Sequence, residues 1–477
     1  MMAKQYKLKI GLFGVGLEAY WSQFNGLKDR LESYLKTVEG MVSASNAEIC
    51  NLGMIDTPER ALEAGHEFRK EDVDLIFLYV TTYAVSSTIL PVVRRANVPV
   101  VILNLAPEKA INYKQFNALK DRTKMTGEWL AYCSACPIPE IINVFNRAGI
   151  QAHQVTGFLS DEKITRPEIR EWIGAAKVMH SMAHNRLGLM GNYYGGMLDI
   201  YTDLTQQLIQ FGGHIELIEV DELTQLVKEV DPKSIPERVE EIKELFDVRE
   251  DCNEDDLAAS ARTSLALEAL VKRHDLGSLA YYYKGVDNEN GDTIATIIVG
   301  NSMLTAKGVP VAGEYEVKNV QAMKILDLLG CGGSFTEYYA MDYEDDIVLM
   351  GHDGPGHVTI AEGKVKIKPL DVYHGKVGRG LSVEMSVRYG KVTLLSVVDQ
   401  PDGQLMLLMA VGESEPGPIL EIGNTNSRYR FDIGAREFVE KWNSYGPAHH
   451  CAIGVGDVTP ILEKLGKLLD MKTVRVC

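Results

Sequence analysis

The chain has 477 residues, enough for several domains at roughly 100 to 200 residues each, which excludes a small stapled scaffold. Acidic residues outnumber basic ones by 66 to 49, a formal charge of −17 that repels phosphate backbones and anionic membrane faces, so neither nucleic acid nor a membrane is expected as a partner. With 45% hydrophobic and 24% charged residues the composition is that of a folded protein, not a disordered one.

The first third alternates short apolar runs with amphipathic ones. Strands are expected at 8–13, 48–55, 75–80 and 98–103, with helices at 17–38 and 58–70. The lysines before the first apolar run suggest a leader, but Lys9 sits inside the run and no small-residue cleavage site follows, so a first strand is the expectation. The most apolar stretch, 75–85, holds Thr81 and Thr82 and is far short of the about 20 residues a membrane helix needs. This βαβ rhythm builds a parallel sheet with helices on both faces.

A polar stretch at 160–166 and a helix at 167–180 precede a second α/β unit, which opens with strands at 185–190 and 214–220. Ser234, with Glu237 three residues on and Pro236 in the first turn, reads as a helix start. The acidic run 237–256 reads as a solvated helical face and loop. From 347 onward the texture changes to short alternating runs at 358–360, 364–367, 381–388, 392–398 and 405–411, broken by turns such as Gln400-Pro401-Asp402-Gly403. This predicts antiparallel sheet, a barrel or a sandwich. Helices near 435–442 and 460–469 follow.

Gly14-Val15-Gly16-Leu17-Glu18-Ala19 has the G-x-G-x-x-A form of a dinucleotide turn. The acidic partner belongs about 20 residues further on, and Asp56 lies well beyond that. An ordinary strand-to-helix turn is expected, and a nucleotide-dependent oxidoreductase is the weakest functional alternative. The seven cysteines, at 50, 133, 136, 252, 331, 451 and 477, are odd in number and scattered, which suits free thiols in a reducing, cytoplasmic setting. Cys133 and Cys136 have redox spacing but no second pair for a zinc set, so they are expected to be incidental core residues.

The chemistry concentrates between 309 and 450. Val309 to Glu314 puts a carboxylate after a short apolar strand and before a helix starting near Val317. Gly332-Gly333-Ser334-Phe335-Thr336-Glu337 reads as a second Gly-rich turn delivering a carboxylate. A strand ends in His352, His357 follows Gly-Pro-Gly, and His449-His450 form a tandem pair. Two glutamates and two histidines make a mixed oxygen and nitrogen set that leaves octahedral positions open, which suits Mn²⁺ better than a closed zinc site. Such an ion polarises a sugar carbonyl, and a glutamate is a suitable base for the adjacent C–H proton. These are the needs of an aldose–ketose isomerase working through a cis-enediol.

At these residues the sequence resembles the L-arabinose isomerase family. The family pattern P-V-A-G-E, S-F-x-E, V-L-x-x-H and G-x-A-H-H appears as Pro310 to Glu314, Ser334 to Glu337, Val348 to His352 and Gly446 to His450, in the family's order. Lys368 to His374 and Asn185 to Gly188 add supporting matches. The resemblance implies an α/β fold of two Rossmann-like parallel-sheet domains, 1–183 and 184–325, followed by a C-terminal antiparallel β-barrel domain, 326–477. It implies Mn²⁺ held by Glu314, Glu337, His352 and His450, with Glu314 and Glu337 as the acid/base pair. It also implies a homotrimer or homohexamer in which a neighbour's N-terminal domain closes the site. Successive residues on an extended segment point opposite ways, so only one of His449 and His450 is expected to face the ion. His449 is the alternative ligand, or else hydrogen-bonds a ligand or the substrate.

The N-terminal third departs from the family. Its first loop carries Glu18, Tyr20 and Trp21, and Cys133 to Pro139 replaces a histidine-bearing stretch. Those segments touch substrate in the family, so the expected substrate is a monosaccharide or 6-substituted hexose other than L-arabinose. A sugar-binding relative that lost the reaction is the alternative, and the four filled ligand positions speak against it.

Overall fold

The computed structural model describes residues 7–43, 47–285, 288–370, 372–373, 376–377 and 379–477. Asp371 and His374, within the supporting match at 368–374, lie outside the described residues. The chain divides into two compact units, Met2–His180 and Ser181–Cys477. Among the described residues no helix is long and apolar enough to cross a membrane.

The first unit is built on a five-stranded sheet in the order Glu48–Ile55, Lys9–Val15, Leu75–Val80, Val100–Ala106 and Ala152–Phe158, with every pairing parallel. Leu75–Val80 is buried along its whole length, as a strand covered on both faces must be. The helix Pro58–Glu71 starts where expected because the Thr57 hydroxyl accepts from Arg60 N at 3.2 Å.

Two expectations fail here. The helix expected from 17 begins at Leu27 (Leu27–Ser43), preceded by a single 3-10 turn at Glu18–Tyr20. Trp21 Nε1 donates to Asp56 Oδ2 at 2.7 Å, and Tyr20, Trp21 and Phe24 pack against Leu27, Leu31 and Leu130, which holds 17–26 in turns. Cys133 and Cys136 are joined in a disulfide, with Cα atoms 5.9 Å apart. Cys133 ends the helix Arg122–Tyr132 and a turn follows, which brings the pair into bridging range. Cys50, Cys252, Cys331, Cys451 and Cys477 are free thiols.

The second unit contains a four-stranded sheet in the order Val311–Ala312, Ser278–Tyr282, Arg186–Gly191 and His214–Ile218, again all parallel. The helix signalled at Ser234 forms as Ile235–Leu245, but no capping box does. Ser234 is itself helical and donates its hydroxyl to Asp231 O, because a 3-10 turn at Pro232–Ser234 starts the helix earlier.

The later residues form a separate sheet, rich in antiparallel pairs. Gly332–Asp342 lies between Ile347–His352 and His450–Val455. Ile347–His352 also pairs with Thr425–Arg430, His450–Val455 with Gly390–Asp399, and Leu405–Glu415 with Thr425–Arg430, Gly390–Asp399 and, in parallel, Lys472–Arg475. The strand expected at 358–360 is instead a 3-10 turn, Val358–Ile360, because Ile360 N and Ala361 N find their acceptors three residues back.

Candidate active site

Three neighbouring strands and one turn supply the expected residues. Glu337 sits mid-strand in Gly332–Asp342, not on a turn, since Gly332-Gly333 open the strand. It is opposite His450 on one side and Gly351 on the other. Directly opposed residues share a face, so Glu337 and His450 are delivered together by the register alone. Gly351 is required beside His352: a Cβ there would lie 1.9 Å from Thr425 O and 2.7 Å from Asn426 Cα. Phe335, two residues before Glu337, contacts the rings of His352 and His450 at 4.4 and 4.3 Å, and those two imidazoles are 5.2 Å apart.

Glu314 arrives from the parallel sheet. It follows Val311–Ala312 and Gly313, and both Glu314 and Tyr315 have left-handed backbones, with φ of 56° and 63°. Two consecutive non-glycine residues in that region cost on the order of 1–3 kcal/mol each and persist only where surroundings enforce them. Tyr315 N bonds Tyr281 O and Glu316 N bonds Gly313 O, fixing the turn, and the Tyr315 ring packs edge-on against Tyr193 at 4.8 Å.

The side chains converge. His450 Nε2 lies 3.3 Å from Glu314 Oε2. His449 Nε2 lies 4.0 Å from Glu314 Oε2 and 3.9 Å from Glu337 Oε2. Glu314, His449 and His450 offer ligand atoms all within 4.8 Å of one another, Glu337 joins through His449, and His352 stands beside His450. The expectation that tandem histidines point apart is corrected: His449 precedes the strand His450–Val455, so strand alternation does not govern it, and the two rings lie 3.8 Å apart. His357 is buried, bonds Thr359 Oγ1 at 3.1 Å, and enters none of these contacts among the described residues.

The electrostatics suit a cation. Burial, together with neighbouring His352 and His449, holds His450 well below the usual imidazole range, so it is neutral and able to offer a lone pair. Its Nε2 is buried without a hydrogen bond, a cost of about 1–3 kcal/mol for an orphaned polar group. Two carboxylates beside imidazoles form a donor set that fits a divalent ion. The remaining His450 nitrogen, Nδ1, faces Glu316 Oε2 at 3.4 Å. Complete burial, only partly offset by Lys318, pushes Glu316 up to about 8. Burial also raises Asp199, but hydrogen bonds and charge from His449 outweigh it and leave the carboxyl below its usual range.

Sequence reasoning missed Glu316, Lys318 and Asp199. Glu316 stands two residues after Glu314 in the same motif, but nothing local marks it as buried. The helix it precedes, Val317–Leu328, is buried on every side, with Lys318, Asn319, Gln321 and Lys324 among its buried residues, so no polar face betrays the site. Asp199 approaches His449 across 250 residues, and no spacing rule connects them.

The dinucleotide-like loop has no such convergence. The next α-helix starts at Leu27, so no helix N-terminus follows Gly16. A Cβ on Gly16 would lie 2.8 Å from the Trp21 ring, which occupies that space, and Asp56 is already the acceptor for Trp21.

No family model matches the chain. It is 21% identical over 340 residues to an L-arabinose isomerase of Geobacillus thermodenitrificans, covering 69% of this chain and 67% of that protein. With an L-arabinose isomerase of Oceanobacillus iheyensis the identity is 23% over 344 residues, covering 68% and 70%. A sulfoquinovose isomerase of Priestia aryabhattai is 21% identical over 320 residues, covering 66% and 69%. A D-allose-bound periplasmic solute-binding protein of Actinobacillus succinogenes has a TM-score of 0.17 at 10% identity, covering 64% of this chain and 78% of that one, too little to carry an argument. The chain is therefore similar, at low identity and over about two thirds of its length, to arabinose-isomerase-like sugar isomerases, from which it has diverged.

Proposed function

We propose that this chain is a metal-dependent aldose–ketose isomerase acting on a free monosaccharide through a cis-enediol, with Glu314, Glu337, His352 and His450 as the residues that would hold Mn²⁺ or another divalent ion. The observation that carries the reading is the approach of Glu314, His450, His449 and Glu337 to within 3.3 to 4.0 Å across links of up to 136 positions. When bound, the cation would supply Lewis acidity at the sugar's carbonyl end, lowering the barrier to loss of the neighbouring C–H proton. The chain's own part is the proton. One carboxylate of the Glu314 and Glu337 pair takes it from C2 of the aldose and returns it to C1, and the other, or a water, exchanges the hydroxyl proton. Side-chain exposures of 14% for Glu314 and 23% for Glu337 leave both carboxylates reachable by a small substrate.

These groups act on C1 and C2, which all aldoses share, so the choice of sugar rests elsewhere. We read the substrate as a sugar other than L-arabinose, with a 6-substituted hexose favoured by the sulfoquinovose isomerases among the relatives. The same reading takes the cycle of six paired strands, closed by Gly390–Asp399 against Leu405–Glu415, as a barrel. It divides the chain at 183/184 and 325/326 and takes the assembly as a homotrimer or homohexamer, which mass photometry tests.

The central experiment is a panel of L-arabinose, L-fucose, D-galactose, D-glucose and 6-modified glucose with Mn²⁺ or with EDTA, following interconversion by chromatography. Conversion of at least one sugar that EDTA abolishes is expected. No conversion of any sugar would count against the enzyme reading, and L-arabinose as clear favourite would defeat the substrate reading.

A further inference from the structure

Asp199 lies on a single 3-10 turn, Leu198–Ile200, with no catalytic motif around it. One of its oxygens, Oδ2, accepts the backbone N–H of His449 at 2.9 Å and faces the same residue's ring Nδ1 at 2.6 Å. A carboxylate accepts hydrogen bonds and donates none, so the proton between them belongs to Nδ1. The ring's other nitrogen is Nε2. It points to the space between Glu314 and Glu337, at 4.0 and 3.9 Å from their nearest oxygens.

The turn carrying Asp199 is tied to the turn carrying Glu314. Lys318 Nζ, from the helix that Glu314 to Glu316 lead into, donates to the Asp199 carbonyl at 2.6 Å and pairs with Asp399 Oδ2 at 3.0 Å. Asp399 Oδ1 in turn accepts from Thr202 Oγ1 at 3.0 Å. Lys318 is 4% exposed, so this anchor is a buried one. The Asp199–His449 pair itself is more than a third exposed on each side and contributes little to stability. Its value is directional: two bonds to one oxygen fix the ring and which of its nitrogens faces the carboxylate.

We propose that Asp199 is a positioning residue that fixes the His449 ring with Nδ1–H toward itself, so that Nε2 faces the point where Glu314 and Glu337 meet. This rests on the reading of that point as a divalent-cation site, toward which the ring is turned. Carboxylate partners of this kind orient imidazoles and commonly change metal affinity when removed. Asp199→Ala removes the one oxygen that both bonds share. It keeps the backbone carbonyl at 199 that Lys318 anchors.

The test uses the full chain, stripped with EDTA and titrated with Mn²⁺ by electron paramagnetic resonance, alongside ¹⁵N-histidine NMR. The His449 signal is identified by its loss in His449→Gln. Expected are an Nδ1–H signal for His449 in the unaltered protein, a shifted His449 signal in Asp199→Ala as the bond to the carboxylate is lost, and Mn²⁺ binding weakened about 10- to 100-fold. In the His449→Gln background, Asp199→Ala should change Mn²⁺ affinity by less than about twofold, since its effect passes through His449. Undiminished affinity in Asp199→Ala, or the same loss in the His449→Gln background, would overturn the proposal. Should Asp199→Ala fail to fold, the His449 signal in the unaltered protein decides, and an Nδ1 without its proton there overturns it. A protein that takes up no Mn²⁺ at all fails the cation-site reading instead, and the NMR still judges Asp199.

Discussion

Two glycine-containing turns follow buried strands in this protein, one at Gly14 to Ala19 and one at Gly313 to Glu316, and they have opposite fates. The first leads into a 3-10 turn, and its open space is taken by Trp21, whose indole N–H binds Asp56. The second leads directly into the buried helix Val317–Leu328, and its two left-handed residues send Glu314 toward His450 while Glu316 is drawn under it. A glycine in a loop permits close approach, but the neighbouring side chains decide what approaches. In the first turn that is an aromatic ring, and in the second a pair of imidazoles.

The contrast breaks first at the carboxylates. Glu314→Gln and Glu337→Gln should each lower turnover by at least about 10²-fold, the usual scale for a positioned acid or base, with bound metal quantified in the same samples. Near-normal turnover with metal retained would remove that residue from the acid/base role.

Gly351→Ala should come next. The added methyl collides with backbone, not with a yielding side chain, so a loss of about 1–3 kcal/mol is expected in thermal or urea unfolding. Because His352 is adjacent, Mn²⁺ affinity should fall as well. An unchanged melting temperature would mean that the strand pair tolerates a shift the register does not suggest.

Glu316 sharpens the comparison through pH. In the metal-free protein its folded-state value, about 8, lies above the ordinary glutamate range near 4.3. The native chain therefore holds a proton that the unfolded chain has lost across that window. Stability from this group is complete below the ordinary range and declines as pH rises toward 8. Glu316→Gln, which resembles the protonated form, should compare better with the unaltered protein at pH 8 than at pH 5, read by melting temperature in EDTA. A pH-independent difference would contradict the burial argument.

The smallest effect belongs to the other turn. Trp21→Phe keeps the ring but loses the bond to Asp56, for a cost of about 1–2 kcal/mol. Neither this variant nor the unaltered chain should bind NAD⁺ in calorimetry, and measurable binding would restore the dinucleotide reading of Gly14 to Ala19.

Much of this could be read along the chain because it is local. Strands at 48–55 and 75–80 were legible from apolar runs, and the helix at 58–70 from its amphipathic pattern, since propensity and periodicity act within a few residues. Glu314, Glu337, His352 and His450 were legible as types beside glycines in strand-end patterns. The helix expected from 17 failed because Trp21 answers to Asp56, 35 residues away.

The sequence alone determined the alternation of parallel and antiparallel regions and the residue types that could meet an ion, because backbone preference and side-chain chemistry travel with each residue. Only the tertiary structure decided that His449 and His450 both reach Glu314, that Glu316 is buried beneath His450, and that Asp199 reaches His449 across 250 positions. Those outcomes depend on strand register, on burial and on a left-handed turn held by its surroundings. Each is set by contacts between segments that carry no mark of one another in the chain.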